Sequence, residues 1–163
     1  SNNYSDCGIM RRTKKTRPLC FIGEIRTTFS ASHPPPRPFN EFDYEAQIII
    51  FPEFQEGLKE LEKFKYIFVL FYLDREKGYS LSAQPPNAQG KIVGVFASRS
   101  PHRPNPIGLS VVRVKEIKNN LILTEGIDAY DRTPVLDIKP YFLAYDAKPD
   151  ANNGWREEGK NPT

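Results

Sequence analysis

Residues 107–127 read IGLSVVRVKEIKNNLILTEGI, and this stretch decides the fold. Two apolar runs, Ile107 to Lys118 and Leu121 to Ile127, flank the pair Asn119-Asn120. Asparagine tolerates the positive φ angles that a two-residue hairpin turn requires. The stretch therefore predicts two antiparallel strands joined by a tight turn.

Apolar runs on both sides of this hairpin predict further strands. They are Leu19 to Thr27, Tyr44 to Phe51, Tyr66 to Leu73, Lys91 to Ala97 and Val135 to Ile138. One helix of about three turns is predicted from Pro52, because Phe54, Leu58 and Leu61 follow at helical spacing. With the long proline-rich loops, these elements favour a mainly β fold, a small antiparallel barrel or sandwich with one or two short helices.

Length and composition narrow the class of protein. A chain of 163 residues suits one domain. No apolar run approaches the ~18 residues of a membrane span, and no signal-peptide pattern follows the N-terminus. Two cysteines without metal or redox spacing predict a reduced, cytoplasmic protein with no built-in metal site. Strands do not alternate with helices and no glycine-rich phosphate loop is present, which excludes the common nucleotide-binding folds.

The net charge of +3 is concentrated near the N-terminus. Residues 1–40 carry seven Lys or Arg against two acidic residues, whereas the remainder is slightly acidic. Residues 1–17 are expected to be a basic, flexible segment, and its cations can either contact nucleic-acid phosphates or remain solvated. The cations predicted to contact RNA are Arg11, Arg12, Lys14 and Lys15.

Residues 94–110 read GVFASRSPHRPNPIGLS and predict a stiff loop. Its prolines fix the backbone, so Arg99, His102, Arg103 and Asn105 are presented at fixed angles. Arginine can bind a carboxylate or a phosphate, and a histidine ring can stack on a base. The loop therefore predicts a binding site.

Residues 128–141, read DAYDRTPVLDIKPY, are the second polar stretch. Asp131 to Pro134 is typical of a β-turn in which the aspartate caps its own backbone. Alternatively, Asp128 and Asp131 accept hydrogen bonds from ribose hydroxyls or an amino group, or act as a general base. Both readings remain open at this point.

Residues 94–110 and 133–141 together resemble the two hallmark motifs of the TsaA-like (TrmO-type) family of tRNA N6-adenine methyltransferases and related S-adenosylmethionine-binding proteins. The resemblance runs from about Leu19 to Tyr145. It implies a barrel domain over 18–145 followed by a polar tail over 146–163, and assembly as a homodimer. It also implies methylation of N6 of the threonylcarbamoyl-adenosine beside the anticodon of tRNA. Longer bacterial members carry a further C-terminal domain.

The resemblance also implies where S-adenosylmethionine binds. Arg132 stands where glycine is commoner in the family, which predicts an altered or strained turn, and Leu73 stands where many members have histidine. The residues expected to contact the cofactor are Arg99, Leu109, Asp131, Arg132, Thr133 and Pro134, with weaker expectations for Arg37, Pro38, Phe39, Leu73 and Asp74.

Methylation of an exocyclic amino group needs acceptors for its protons, because its lone pair is delocalised into the ring. Asn105 with the Pro106 carbonyl, Asp128 or Asp131 are the candidate acceptors. For Asn105-Pro106 the alternative is a simple turn element. His102 and Arg103 are candidate RNA contacts. The competing functional interpretation is a non-catalytic S-adenosylmethionine-binding or regulatory module on the same barrel.

Overall fold

The structure, a computed structural model, describes residues 18–158. Within them lie eight strands: β1 Gly23–Arg26, β2 Glu45–Ile50, β3 Tyr66–Tyr72, β4 Ser82–Ala83, β5 Val93–Gly94, β6 Ile107–Lys118, β7 Leu121–Glu125 and β8 Thr133–Pro140. Six of them close into an antiparallel barrel in the order β1-β2-β7-β6-β3-β8, and β4 pairs with β5 in a separate small sheet. The predicted mainly β barrel is confirmed.

Alternation along the strands fills the barrel. On β3, Ile67, Val69 and Phe71 are buried while the residues between them face outward. The hairpin of β6 and β7 forms as predicted, and Asn119 in its turn has φ 54°. The core therefore lies inside the barrel and is made of alternate residues from its strands.

Gly108 lies opposite Phe71 in the β3–β6 pair. A Cβ built at position 108 would stand 2.2 Å from the Cε2 atom of the Phe71 ring. The ring occupies the space that any side chain on residue 108 would need, so this position of the strand requires glycine.

The predicted helix after Pro52 is wrong. Pro52 does open a helical turn, but the segment forms two 3₁₀ stretches, Pro52–Leu58 and Leu61–Lys63, separated at Glu60, whose φ is 75°. Leu58 ends the first stretch and Leu61 begins the second, and both are buried against the barrel. Burial of this pair thus replaces the regular α-helical face.

Two predicted strands also differ from the structure. The first begins at Gly23 rather than Leu19. Of the run Lys91 to Ala97, only Val93–Gly94 finds a partner strand, and the chain then enters a 3₁₀ turn. The other helical segments are α1 Leu143–Asp146 and 3₁₀ turns at Glu41–Asp43, Pro86–Ala88, Val95–Ala97 and Gly154–Glu157. Among residues 18–158, no helix has the length and hydropathy to cross a bilayer.

Candidate functional site

The two motif segments meet at one end of the barrel. Tyr72 at the end of β3 pairs with Ile107 at the start of β6, and Phe71 pairs with Val135 near the start of β8. We call this end, where residues 73–78, 98–106 and 128–132 emerge, the loop end. The opposite end, called the groove end, carries the 3₁₀ stretches and a cavity of about 510 Å³.

The loop before β6 is braced by the Arg103 side chain and by a hydrogen bond from the residue after β3. Nη1 of Arg103 donates to the carbonyls of Ser98 (2.9 Å) and Ser100 (3.3 Å), and Leu73 N donates to Pro106 O (2.7 Å). Arg99 is exposed, and within residues 18–158 its guanidinium has no hydrogen bond or ion pair. The loop therefore holds one cation free for a ligand and uses another to keep its shape.

Asn105 and Pro106 likewise combine a structural role with a polar group that is available to a ligand. The Asn105 carbonyl accepts from Ile107 N at 2.7 Å, so the backbone here is a tight turn. The Asn105 side chain is exposed and makes no hydrogen bond to any described residue, whereas Pro106 is buried and its carbonyl is taken by Leu73. Asn105 is thus part of a tight turn through its backbone and offers a free amide through its side chain.

The turn before β8 is tied to β1. Asp131 Oδ1 accepts from Arg26 Nε (3.0 Å) and from Thr27 N (3.1 Å). The expectation that this aspartate caps its own backbone is therefore wrong, because it caps the end of a neighbouring strand instead. The turn itself is closed by Thr133, whose N and Oγ1 both donate to Tyr130 O, at 3.2 and 2.7 Å.

Arg132 sits at the strained position of this turn. Its φ is 65°, in the left-handed region that favours glycine, as the family comparison at this position predicted. Its side chain is 73% exposed and reaches Asp131 only at 4.0 Å. Asp128 is exposed as well, and its carboxylate has no partner among the described residues.

The loop after β3 bridges the two motif segments. The Arg75 guanidinium carbon lies 4.9 Å from the centre of the Tyr130 ring, and Glu76 Oε2 lies 3.5 Å from Nδ1 of His102. The neighbouring segment adds a bond from Ser80 N to His102 O at 3.4 Å. Sequence analysis missed these bridging residues, for which the only signal was their place directly after Leu73-Asp74.

The proline-rich loop at Arg37-Pro38-Phe39 joins the same end through aromatic contacts. The ring centre of Phe39 lies 5.5 Å from that of Tyr44 and 5.8 Å from that of Phe29. Phe29 in turn accepts a hydrogen bond through its carbonyl from Asp131 N, at 2.8 Å. The third predicted cofactor segment is thereby connected to the turn before β8.

One predicted cofactor residue, Leu109, lies on a strand of the barrel wall and not on a loop of the loop end. Leu109 is 51% exposed and faces outward from β6, together with Ile107 and Val111. The basic residues Arg11, Arg12, Lys14 and Lys15 lie outside the described residues. All other predicted cofactor and catalytic residues are on segments that meet at the loop end.

Comparison with known proteins agrees with this arrangement. The model of the family described as tRNA-methyltransferase O N-terminal domain matches residues 24–147. A crystal structure of TrmO from Pseudomonas aeruginosa superposes with a TM-score of 0.69 at 36% identity, covering 86% of this chain and 62% of that one.

Two relatives show the same similarity in sequence. A probable S-adenosyl-L-methionine-binding protein of Archaeoglobus fulgidus is 42% identical over 86% of this chain and 38% of its own length. The human tRNA (adenine(37)-N6)-methyltransferase is 35% identical over 86% of this chain and 34% of its own. The chain thus spans little more than a third of either relative. From the matched domain and the shared barrel, the chain belongs to the family of the tRNA-methyltransferase O N-terminal domain.

Proposed function

We propose that this chain is an S-adenosylmethionine-dependent methyltransferase that acts on N6 of the threonylcarbamoyl-adenosine beside the anticodon of tRNA, in the cytoplasm. The observation that carries the proposal is the meeting of the Arg99 loop and the Asp128–Thr133 turn at one barrel end, joined by Arg75 and Glu76. The names of the human and archaeal relatives support the reaction and the cofactor.

The groups at the loop end fit the cofactor's chemistry. Its carboxylate needs a cation, and the Arg99 guanidinium is unpaired among the described residues. Its ammonium and ribose hydroxyls need acceptors, and the exposed carboxylates of Asp74 and Asp128 are likewise unpaired within residues 18–158. The residues proposed to hold it are Arg37, Pro38, Phe39, Leu73, Asp74, Arg99, Leu109, Asp131, Arg132, Thr133 and Pro134.

The bound cofactor supplies an electrophilic methyl carbon on a sulfonium sulfur. The chain's own task is to orient the adenine amino group and to take one proton from N6. The Asn105 side-chain oxygen is proposed to accept a hydrogen bond from N6, and the Asp128 carboxylate to take the proton, because both side chains are unpaired among the described residues. Asp131 already accepts from Arg26 and Thr27, so its proposed contribution is to position the turn.

RNA contacts are proposed beside this site. His102 is held at Glu76 with its side chain 44% exposed, which leaves a ring face for a base. Arg103 retains guanidinium donors beyond Nη1 for a phosphate. The basic residues Arg11, Arg12, Lys14 and Lys15 are proposed to add affinity that weakens with salt.

A homodimer is proposed through the outer face of β3 and β6. Tyr66, Ile107, Leu109 and Val111 form an apolar surface there, each between 39% and 51% exposed. A second copy on this face would cover that surface and would bring Leu109 into an enclosed environment. Sedimentation of Leu109→Asp against the unaltered protein tests the interface, with a monomer expected for the variant.

The deciding experiment is transfer of labelled methyl from S-adenosylmethionine to tRNA that carries or lacks the threonylcarbamoyl group, followed by nucleoside analysis. Label in N6-methylated threonylcarbamoyl-adenosine alone is the expected result. Tight cofactor binding with no transfer to either tRNA would instead support the second candidate, a non-catalytic S-adenosylmethionine-binding module, which the name of the archaeal relative favours.

A further inference from the structure

We propose that Phe96 is a stacking platform for an unpaired base of the RNA substrate, next to the adenosine that is modified. This proposal rests on the proposed function, since it requires that the substrate is RNA. It assigns a specificity role to a residue outside the cofactor and proton-transfer groups named above.

The first observation is exposure. Phe96 is 79% exposed, the most exposed large apolar side chain within residues 18–158. Phe96 follows the small sheet of β4 and β5, and Leu81 and Ile92, which precede these two strands, are 66% and 68% exposed. Keeping so much apolar surface in water is unfavourable, and such a surface often marks a binding site.

The second observation is that the backbone on both sides of this ring is fixed. Val95, only 1% exposed, donates through its N to Leu81 O at 2.9 Å and accepts from Ser98 N and Oγ at 3.1 and 2.8 Å. On the other side, the indole Nε1 of Trp155 donates to Ala97 O at 2.7 Å. A ring presented from such an anchored turn loses little backbone entropy when a ligand stacks on it.

The third observation is charge. From Lys77 to Ser110 the chain contains no Asp or Glu, but it contains four Lys or Arg, and Arg99 is three residues after Phe96. Of these four, Lys91 is paired with Glu158 and Arg103 donates to backbone carbonyls, whereas Arg99 has no partner among the described residues. An exposed aromatic ring together with an unpaired cation is a combination by which proteins bind single-stranded nucleic acid.

Phe42 provides an internal contrast. It is 70% exposed, also on a 3₁₀ turn, but Glu41 and Asp43 stand on either side of it. Carboxylates at both neighbours repel a phosphate backbone. Exposure alone therefore does not distinguish the two rings, whereas their neighbours in the chain do: both are acidic at Phe42, and both are uncharged at Phe96.

The test uses the full chain and an anticodon stem-loop RNA with 2-aminopurine in its loop. Since base stacking on an aromatic side chain contributes about 1–3 kcal/mol, Phe96→Ala should weaken RNA binding about tenfold and abolish the quenching of 2-aminopurine. Phe96→Trp should retain both affinity and quenching, because indole also stacks. Phe42→Ala should stay within about twofold of the unaltered protein.

Calorimetry with S-adenosylmethionine separates this proposal from the proposed function. Unchanged cofactor affinity in Phe96→Ala, together with weakened RNA binding, supports the stacking role. If Phe96→Ala keeps the RNA affinity and the quenching of the unaltered protein, and the unaltered protein methylates tRNA, the stacking role is overturned and the proposed function stands. A change of sedimentation behaviour without a change in RNA affinity shows a protein contact instead and also overturns it. An unaltered protein that binds no tRNA removes both proposals.

Discussion

The two ends of the barrel differ in what their side chains do. At the loop end, Arg99, Asn105 and Asp128 are exposed and unpaired among the described residues, while the backbone around them is held by short hydrogen bonds. At the groove end, Leu58 and Leu61 are buried, and Lys63 pairs with Glu60. The loop end presents polar side chains on braced loops, whereas the groove end buries apolar side chains against the barrel.

The difference teaches how a small barrel separates ligand chemistry from stability. Long loops tolerate unpaired polar groups because water solvates them until a ligand arrives. The short 3₁₀ stretches at the groove end contribute burial, which stabilises the barrel in proportion to the apolar area removed from water. Substitutions at the loop end should therefore affect activity, and substitutions at the groove end should affect the free energy of unfolding.

The largest effect is expected at Asn105. Asn105→Ala removes a proposed hydrogen-bond acceptor for N6 and should lower turnover by about 100-fold, while affinity for S-adenosylmethionine stays within about twofold. Single-turnover methyl transfer and calorimetry measure the two quantities. Asn87→Ala, on the exposed 3₁₀ turn Pro86–Ala88, is the matched control. Equal losses of turnover and affinity would contradict the role.

At the groove end, Leu61→Ala should lower the free energy of unfolding by about 2 kcal/mol, because it removes buried methyl groups beside an open cavity. The melting temperature should fall by about 6 °C. Methyl transfer at 20 °C should not change. Leu143→Ala, at a residue 78% exposed, is the control and should leave the melting temperature in place. Loss of activity in a Leu61→Ala protein that is still folded would contradict the separation of activity at the loop end from stability at the groove end.

Arg99→Lys tests the free cation of the loop end. Lysine keeps the charge but lacks the planar fork that binds a carboxylate through two hydrogen bonds, so affinity for the cofactor should fall about tenfold. Arg113→Lys provides the control, since Arg113 lies on β6 opposite Tyr66 of β3, away from the loop end. Unchanged calorimetric affinity in Arg99→Lys would remove the proposed carboxylate contact.

The smallest effect is expected at Arg132. Arg132→Gly relieves the positive φ of 65° and should stabilise the protein by about 1 kcal/mol, or about 3 °C in melting temperature. Asn119→Gly is the comparison, because asparagine already tolerates its φ of 54° and the gain there should be smaller. A loss of stability in Arg132→Gly would mean that the arginine side chain holds the turn.

Sequence patterns predicted best the elements whose partners are close in the chain. The β6–β7 hairpin could be predicted because alternation and Asn119-Asn120 specify both strands and turn. The segment after Pro52 could not, since the spacing of its apolar residues does not reveal the positive φ of Glu60 that separates its two 3₁₀ stretches. Lys91 to Ala97 has β-rich composition, but composition does not reveal that only Val93–Gly94 meets a partner strand.

The candidate site was predictable to a similar degree. The Arg99 loop was predicted from its local residue types, and the strained turn at Arg132 from the family resemblance, in which glycine is commoner at this position. The contact of Arg75 with Tyr130 depends on how β3 pairs with β8, and that of Glu76 with His102 on how β3 pairs with β6, which no local pattern specifies. The partner of the Asp131 carboxylate was missed for the same reason, since Arg26 is 105 residues away in the chain.

The close packing of Phe71 on Gly108 also fixes where, along the barrel axis, the Arg99 loop is attached to β6. Sliding β6 along β3 by two residues would put Pro106 or Ser110 under the ring, where neither side chain fits. The Phe71 ring thus fixes the register of the whole of β6 against β3. Sequence change within the loop can alter what it binds without moving its point of attachment, so ligand preference can diverge while the scaffold keeps its alignment.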